Sequence, residues 1–145
     1  MTEPARRGAA AGTHEAVLAL AEGLPRGACL DAPCGDCRIG VELAARRIRV
    51  TGVDIQPELI EDARAKAAAR GVSLELRVGD MRELPWRGRF DAALCWWGSF
   101  GWFNAEENLR QAREVAHALK PGGRWLVDLP TLEALLPQFA HRNWH

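Results

Sequence analysis

Two rhythms of apolar and polar residues alternate along this chain, and the switches between them mark its elements. Short runs at Cys29 to Asp31 and Ile48 to Asp54, each closing on an acid, predict strands, and the nearly all apolar run Phe90 to Trp96 predicts a central one. A fourth run, Ser73 to Val78, alternates instead: Leu74, Leu76 and Val78 on one side, Glu75 and Arg77 on the other. One wetter face places that strand at a sheet edge. Trp125 to Leu129 supplies a fifth strand. Between the runs, apolar residues recur at helical spacing: Ile39, Val41, Leu43 and Ala44, then Leu59, Ile60, Ala63 and Ala67, then Leu109, Ala112, Ala116 and Leu119.

Punctuation supports these boundaries. Thr13 is placed to cap an Ala-rich first helix through Val17, Leu18 and Leu20, stopped by Gly23 and Pro25. Pro57 suits a first helical turn and Gly71 a helix end. Asn104 and Glu107 form an N-cap and reach-back pair. Lys120-Pro-Gly-Gly123 is a turn, and Thr131 caps a short last helix. Residues 1–12 are small, basic and patternless, a lead-in to a single domain over residues 13–145. Five strands alternating with helices require a parallel sheet with helices on both faces.

Composition narrows the function classes. Nineteen basic residues against nineteen acidic ones give zero formal charge, which removes the electrostatic footprint of a nucleic-acid binder. No apolar run approaches the length of a membrane span, and the start lacks a signal-peptide core. Both point to the cytoplasm, with no membrane partner. There Cys29, Cys34, Cys37 and Cys95 are expected as free thiols, Cys29 and Cys95 as small core residues. His14, His117, His141 and His145 have no metal-ligand spacing, so no metal is expected.

In such folds ligands bind beyond the carboxyl ends of the strands. The residues there are Asp31, Asp54, Asp80 and the pair Cys95 and Trp96: three successive strands each deliver an acid to one rim. A dinucleotide fingerprint fails, because Pro33, Gly35 and Arg38 stand where three glycines would bring backbone to a pyrophosphate. An acid closing the first strand suits a cationic ligand end instead. Asp54 fits a ribose diol, and Asp80 an exocyclic amine. Such a ligand describes S-adenosylmethionine. Each acid also has a plainer reading: Asp31 closing the turn, Asp54 capping the helix near Pro57.

These stretches resemble the class I S-adenosylmethionine-dependent methyltransferases from about Leu24 to Leu136. Asp31-Ala-Pro-Cys-Gly-Asp-Cys37 aligns with that family's first motif, usually Asp-x-Gly-x-Gly-x-Gly. Phe90-Asp91 and Lys120-Pro-Gly-Gly123 match the flanks of its fourth and fifth strands. Gly98-Ser-Phe-Gly-Trp-Phe103 is similar to a loop of some bacterial small-molecule methyltransferases. The resemblance implies a Rossmann-like three-layer α/β/α sandwich, strand order 3-2-1-4-5. It implies that Asp31 holds the methionine amino group, with Ala32, Pro33, Cys34 and Gly35 in the loop beside it. Asp54 and Ile55 would take the ribose and one adenine face, and Gly79, Asp80 and Met81 the adenine. Cys95 lies at the same rim, and Trp96, with Trp97 and Trp102, stacks on the sulfonium, walls the acceptor or simply fills space under a helix. The implied reaction is direct methyl transfer to a small-molecule acceptor, for which no general base can be named.

Two departures from the family pattern carry expectations. Cys37 stands where the family has glycine and is expected to crowd the methionine end or push the loop outward. It also creates Cys34-x-x-Cys37 at a helix start, the pattern of a redox dithiol. The chain stops after its fifth strand and helix, without the family's closing antiparallel hairpin. This predicts a C-terminally truncated domain, with the fifth strand an open edge for a second copy. A cofactor-binding remnant without catalysis is the alternative reading.

Overall fold

The computed structural model describes residues 27–138 without a break, and residues 15, 16, 18, 19 and 22–24 before them. Five strands follow in order: β1 (Ala28–Asp31), β2 (Arg49–Asp54), β3 (Glu75–Val78), β4 (Phe90–Cys95) and β5 (Leu119–Val127). Helices α1 (Arg38–Ala45), α2 (Pro57–Arg70) and α3 (Ala105–Ala118) connect them, and a short α4 (Leu132–Leu135) follows β5. Every pairing is parallel, and the sheet order is β3-β2-β1-β4-β5. β3 is an edge strand and β4 an inner one, as the alternation of one and the apolar run of the other predict.

The period of two along the strands divides the core. Cys29, Val50, Ala92 and Leu94 turn to one face, against Ile39 and Leu43 of α1, with Leu18 and Leu24 packed on the same cluster. Leu30, Val53 and Ala93 turn to the other, against Val115 and Ala118 of α3. Helix α2 lies beside α1 and packs over β2 and β3. Each fully buried Leu or Phe, such as Leu30, Leu94 and Phe90, contributes on the order of 1.5–3 kcal/mol. The three-layer sandwich follows from these two faces.

Pro57 occupies the first turn of α2, and Gly71 ends it in the left-handed region, its N–H bonded to the carbonyls of Ala67 and Ala68. Of the first expected helix, Glu15, Ala16, Leu18, Ala19 and Glu22 are helical, while Thr13, Val17, Leu20 and Pro25 lie outside the described residues. The lead-in 1–12 lies outside them as well.

Three local expectations are corrected. The buried stripe of α3 is Gln111, Val115 and Ala118, whereas Leu109 is 49% exposed and Ala116 is exposed. Leu119 lies past the helix end, at the start of β5. Val115 packs against Leu30 and Ala93 in the core, and that contact turns Leu109 outward. The cap of α3 is half of the expected pair. Asn104 accepts from the Glu107 N–H at 2.9 Å, but the Glu107 carboxylate turns to Arg82 at 3.0 Å instead of reaching back. The Lys120–Gly123 turn falls inside β5 as a bulge: Phe90 pairs with Leu119, and Ala92 already with Arg124. Gly122 takes the positive φ of 78° that this detour needs. Among the described residues, no strand follows β5, and no helix is long and apolar enough to cross a membrane.

Candidate functional site: a crevice at the carboxyl ends of β1, β2 and β4

The loop after β1 is suspended between its two neighbouring strands. The Ala32 N–H donates to the Leu94 carbonyl at 3.1 Å, and the Cys34 N–H to the Val53 carbonyl at 2.8 Å. Asp54, closing β2, accepts from the Gly35 N–H at 2.9 Å and from the Gln56 N–H at 3.0 Å. The loop then turns from Cys34 to Cys37 through a 2.8 Å hydrogen bond between the Cys37 N–H and the Cys34 carbonyl, and α1 begins. No side chain caps α1. Gly35 has φ of 56°, and nothing lies within 4 Å of where its β-carbon would stand, so bare backbone faces the cavity.

This loop floors a cavity of about 500 Å³, a size typical of small-molecule sites. Asp31 lies at its base and is only 2% exposed. Burial raises its pKa to about 7; the Cys37 thiol, donating at 3.7 Å, opposes this, and the charges of Asp54 and Asp36 add to it. Among the described residues no cation pairs with Asp31. A buried acid with acidic neighbours is completed by a cationic ligand group. Asp36 differs: partial burial works against its charge, but Lys66 and Arg38 together hold its pKa below the usual carboxylate range.

Asp80 is already engaged. Arg82 grips it through both oxygens, at 2.7 Å to Oδ2 and 3.1 Å to Oδ1, which keeps its pKa below the ordinary range. The same guanidinium reaches Glu107 and lies 4.2 Å from the Phe103 ring centroid. Arg82 therefore ties the loop after β3 to the head of α3 along one wall. No motif marks Arg82 in the sequence; its one signal is position, two residues beyond the acid that follows β3.

Ten of the twelve residues expected at the site line this cavity: Asp31, Pro33, Cys34, Gly35, Asp54, Ile55, Gly79, Asp80, Met81 and Trp96. Ala32 and Cys95 do not. Ala32 is packed with Val53 and Met81 in the core beneath the loop, and the Cys95 sulfur is fully buried near the Gln111 amide. Strand alternation explains Cys95, because the next residue, Trp96, is the one that reaches the cavity. At the mouth, Ile55, Trp97 and Trp102 form an exposed apolar rim. Trp97 sits in the left-handed region at φ 64°, with the Arg38 guanidinium 5.0 Å from its ring centroid.

Cys37 overturns an expectation. It is fully buried and absent from the cavity wall. Its sulfur points under the loop, 2.8 Å from where a β-carbon on Gly52 would stand and 2.6 Å from that of Gly40. Those two glycines leave the room that the thiol fills, so it does not crowd the cavity face of the loop. Among the described residues no group of three or more His, Cys, Asp or Glu is placed to hold a metal.

A parallel sheet in this order, with acids closing adjacent strands around a cavity, defines a nucleotide-type cofactor crevice. Residues 29–123 match a family model described as a methyltransferase domain. The chain belongs to that family, the class I S-adenosylmethionine-dependent methyltransferases, whose cofactor is S-adenosylmethionine. It is 33% identical over 98 residues to the demethylmenaquinone methyltransferase of Deinococcus radiodurans, covering 66% of this chain and 39% of that protein. A Pyrococcus horikoshii OT3 protein of known structure superposes with a TM-score of 0.78 at 30% identity, over 94% of this chain and 60% of that one. The 1,6-didemethyltoxoflavin-N1-methyltransferase of Burkholderia thailandensis, solved with 1,6-didemethyltoxoflavin and S-adenosylhomocysteine bound, gives 0.64 at 25% identity, over 79% and 49% of the two chains. The chain spans about two fifths of the length of the curated relatives it matches.

Proposed function

We propose that this crevice binds S-adenosylmethionine, and that the chain carries the cofactor-binding part of a methyltransferase for a small, partly apolar acceptor. One observation supports it most: Asp31, buried and without a cationic partner among the described residues, sits at the base of a cavity of about 500 Å³ whose wall also carries Asp54. The donor set fits the group. Asp31 offers charge to an ammonium, and the open Gly35 backbone lets a ligand approach closely. The Asp54 carboxylate keeps lone pairs for a ribose diol beside the two N–H groups it already accepts. Ile55 and Met81 offer apolar contact to a base. Asp80 serves this wall chiefly by anchoring Arg82, accepting from its backbone N–H as well as its guanidinium, which leaves a single lone-pair site on Oδ2 for an exocyclic amine.

When bound, S-adenosylmethionine supplies a methyl group on a sulfonium, already a good electrophile. The protein's part is then to hold the acceptor in line and exclude water. Trp96, Trp97 and Trp102 form the apolar surface over which an acceptor enters, and two relatives named for demethylmenaquinone and 1,6-didemethyltoxoflavin support a small molecule there. Ser99 is committed to the Trp96 carbonyl at 3.0 Å, so it shapes the loop and does not activate an acceptor.

Calorimetric titration of S-adenosylhomocysteine into reduced protein tests this reading. One saturable site is expected, weakened at least about tenfold by Asp54→Ala, since a hydrogen bond to a charged group is lost. No binding by the unaltered protein, or equal affinity for the variant, would overturn it.

A further inference from the structure

The inward turn of Cys37 brings it to the other cysteine of the loop. Both sulfurs lie within 3.0 Å of the single point where a β-carbon on Gly52 would stand. The residues are i and i+3 of a hydrogen-bonded turn, a separation that keeps their α-carbons within disulfide range. Both are free thiols. They are unequal: Cys34 lines the cavity and is partly exposed, whereas Cys37 is sealed beneath it. Cys37 also touches a proton acceptor, its thiol donating to Asp31.

We propose that Cys34 and Cys37 are a redox-active dithiol, closed to a disulfide by a low-molecular-weight disulfide such as oxidised glutathione, and that closure weakens cofactor binding through Asp31. Cys34, its proton lost to solvent, attacks one sulfur of the oxidant, and the first small thiolate leaves. The Cys37 proton passes to Asp31 while the Cys37 sulfur attacks the Cys34 sulfur. That step forms the internal disulfide and expels the second small thiolate. The two leaving thiolates take up the two protons. The protein is oxidised by two electrons, and the reagent becomes two thiols. Cys29 and Cys95 are buried in the core, and neither lines the cavity nor joins the Cys34 sulfur at the Gly52 point, which leaves both out of the exchange. The Cys37 thiol, pushed up by its hydrogen bond with Cys34, by burial and by the charge of Asp31, gives up its proton only as it attacks.

The link to the cofactor rests on the proposed role of Asp31. In the reduced form the Cys37 thiol donates to that carboxylate; a disulfide has no proton to donate. Oxidation therefore removes a donor that favours the charged acid and stiffens the loop that floors the crevice. Coupling of this kind is reciprocal, so bound cofactor protects the dithiol.

The test uses the whole chain, equilibrated in mixtures of reduced and oxidised glutathione, then alkylated and digested with trypsin. The peptide of residues 27–38 carries Cys29, Cys34 and Cys37. It should pass from three alkyl groups to one as the mixture becomes oxidising. Cys37→Ala should stop at a glutathione adduct on Cys34, and Cys34→Ala should not react. Calorimetry with S-adenosylhomocysteine should show the oxidised form binding about tenfold or more weakly, and saturating ligand should move the midpoint to more oxidising mixtures. Three alkyl groups in every mixture would overturn the dithiol. Disulfide formation with unchanged affinity would overturn the link to Asp31. If the disulfide forms but the reduced protein binds no S-adenosylhomocysteine, it is the cofactor reading that fails and the dithiol that stands.

Discussion

Replacing Asp31 by Asn separates the two demands on that residue. Burial raises its pKa from 3.8 to about 7, with Asp54 and Asp36 adding to the rise and Cys37 opposing it. The folded chain thus holds a proton that the unfolded chain releases. Stability from this group is complete below pH 3.8 and falls as pH rises through about 7. At about 1.4 kcal/mol per pH unit, the loss is roughly 1.6 kcal/mol at pH 5 and about 4 kcal/mol at pH 8. Asn cannot ionise, so the gap between Asp31→Asn and the parent should shift in favour of the variant by about 3 kcal/mol between those pH values. Urea unfolding of both reduced proteins at pH 5, 6, 7 and 8, without ligand, measures it. Ligand binding should run the other way. A cationic group needs the acid ionised, so affinity of the parent for S-adenosylhomocysteine should fall about tenfold per pH unit below 7, with no such slope for the variant. Parallel stability curves for the two proteins, or equal pH slopes in binding, would show that Asp31 is neither strained nor the cation's partner.

Other predictions follow from packing and capping. Gly52→Ala drives a β-carbon to within 2.8 Å of the Cys37 sulfur and 3.0 Å of both the Cys34 sulfur and Leu76 Cδ2. It should cost about 1–3 kcal/mol, and adding Cys37→Ala should recover part of that in a double-mutant cycle of unfolding free energies. Asn104→Ala removes the acceptor for the Glu107 N–H and should lower stability by about 1 kcal/mol, read as a lower melting temperature. Gln111 is fully buried and its carbonyl oxygen has no partner among the described residues, although its amide contacts the Met81 sulfur at 3.2 Å. Gln111→Met should leave stability unchanged or raise it by about 1 kcal/mol in the same melting experiment.

Strand identity and order were legible because strand burial is written in runs. Phe90 to Cys95 is covered on both faces and reads as apolar but for Asp91, whereas Ser73 to Val78 alternates and lies at the edge. Asp31 and Asp54 were legible for the same reason, since each is the last residue of its strand and is placed by it, whereas Asp80 lies two residues past β3. What escaped depended on rotation about an axis or on contacts far apart in sequence. Leu109 and Val115 compete to face the sheet, and spacing alone gave the wrong answer for α3. Cys95 and Trp96 are adjacent on one strand, yet only the second reaches the cavity. Arg82 acquires its role from Glu107 and Phe103, more than twenty residues away.

Cys37 shows how such a distant contact changes the chemistry of a site. Judged by its neighbours in sequence, a side chain there crowds a glycine-rich turn. Its φ of 55° is unfavourable for any side chain and is held here by the Cys34 carbonyl on one side and by α1, which it starts, on the other. The conformation aims the sulfur downward, and space exists only because Gly40 and Gly52 lack β-carbons at that spot. Relief of the crowding is therefore supplied by residues on α1 and β2, not by the loop. The consequence is chemical as well as steric: a thiol now donates to the acid at the base of the crevice, where a glycine donates nothing. Holding a cation and exchanging a thiol proton are then two demands on one carboxylate, and meeting one opposes the other.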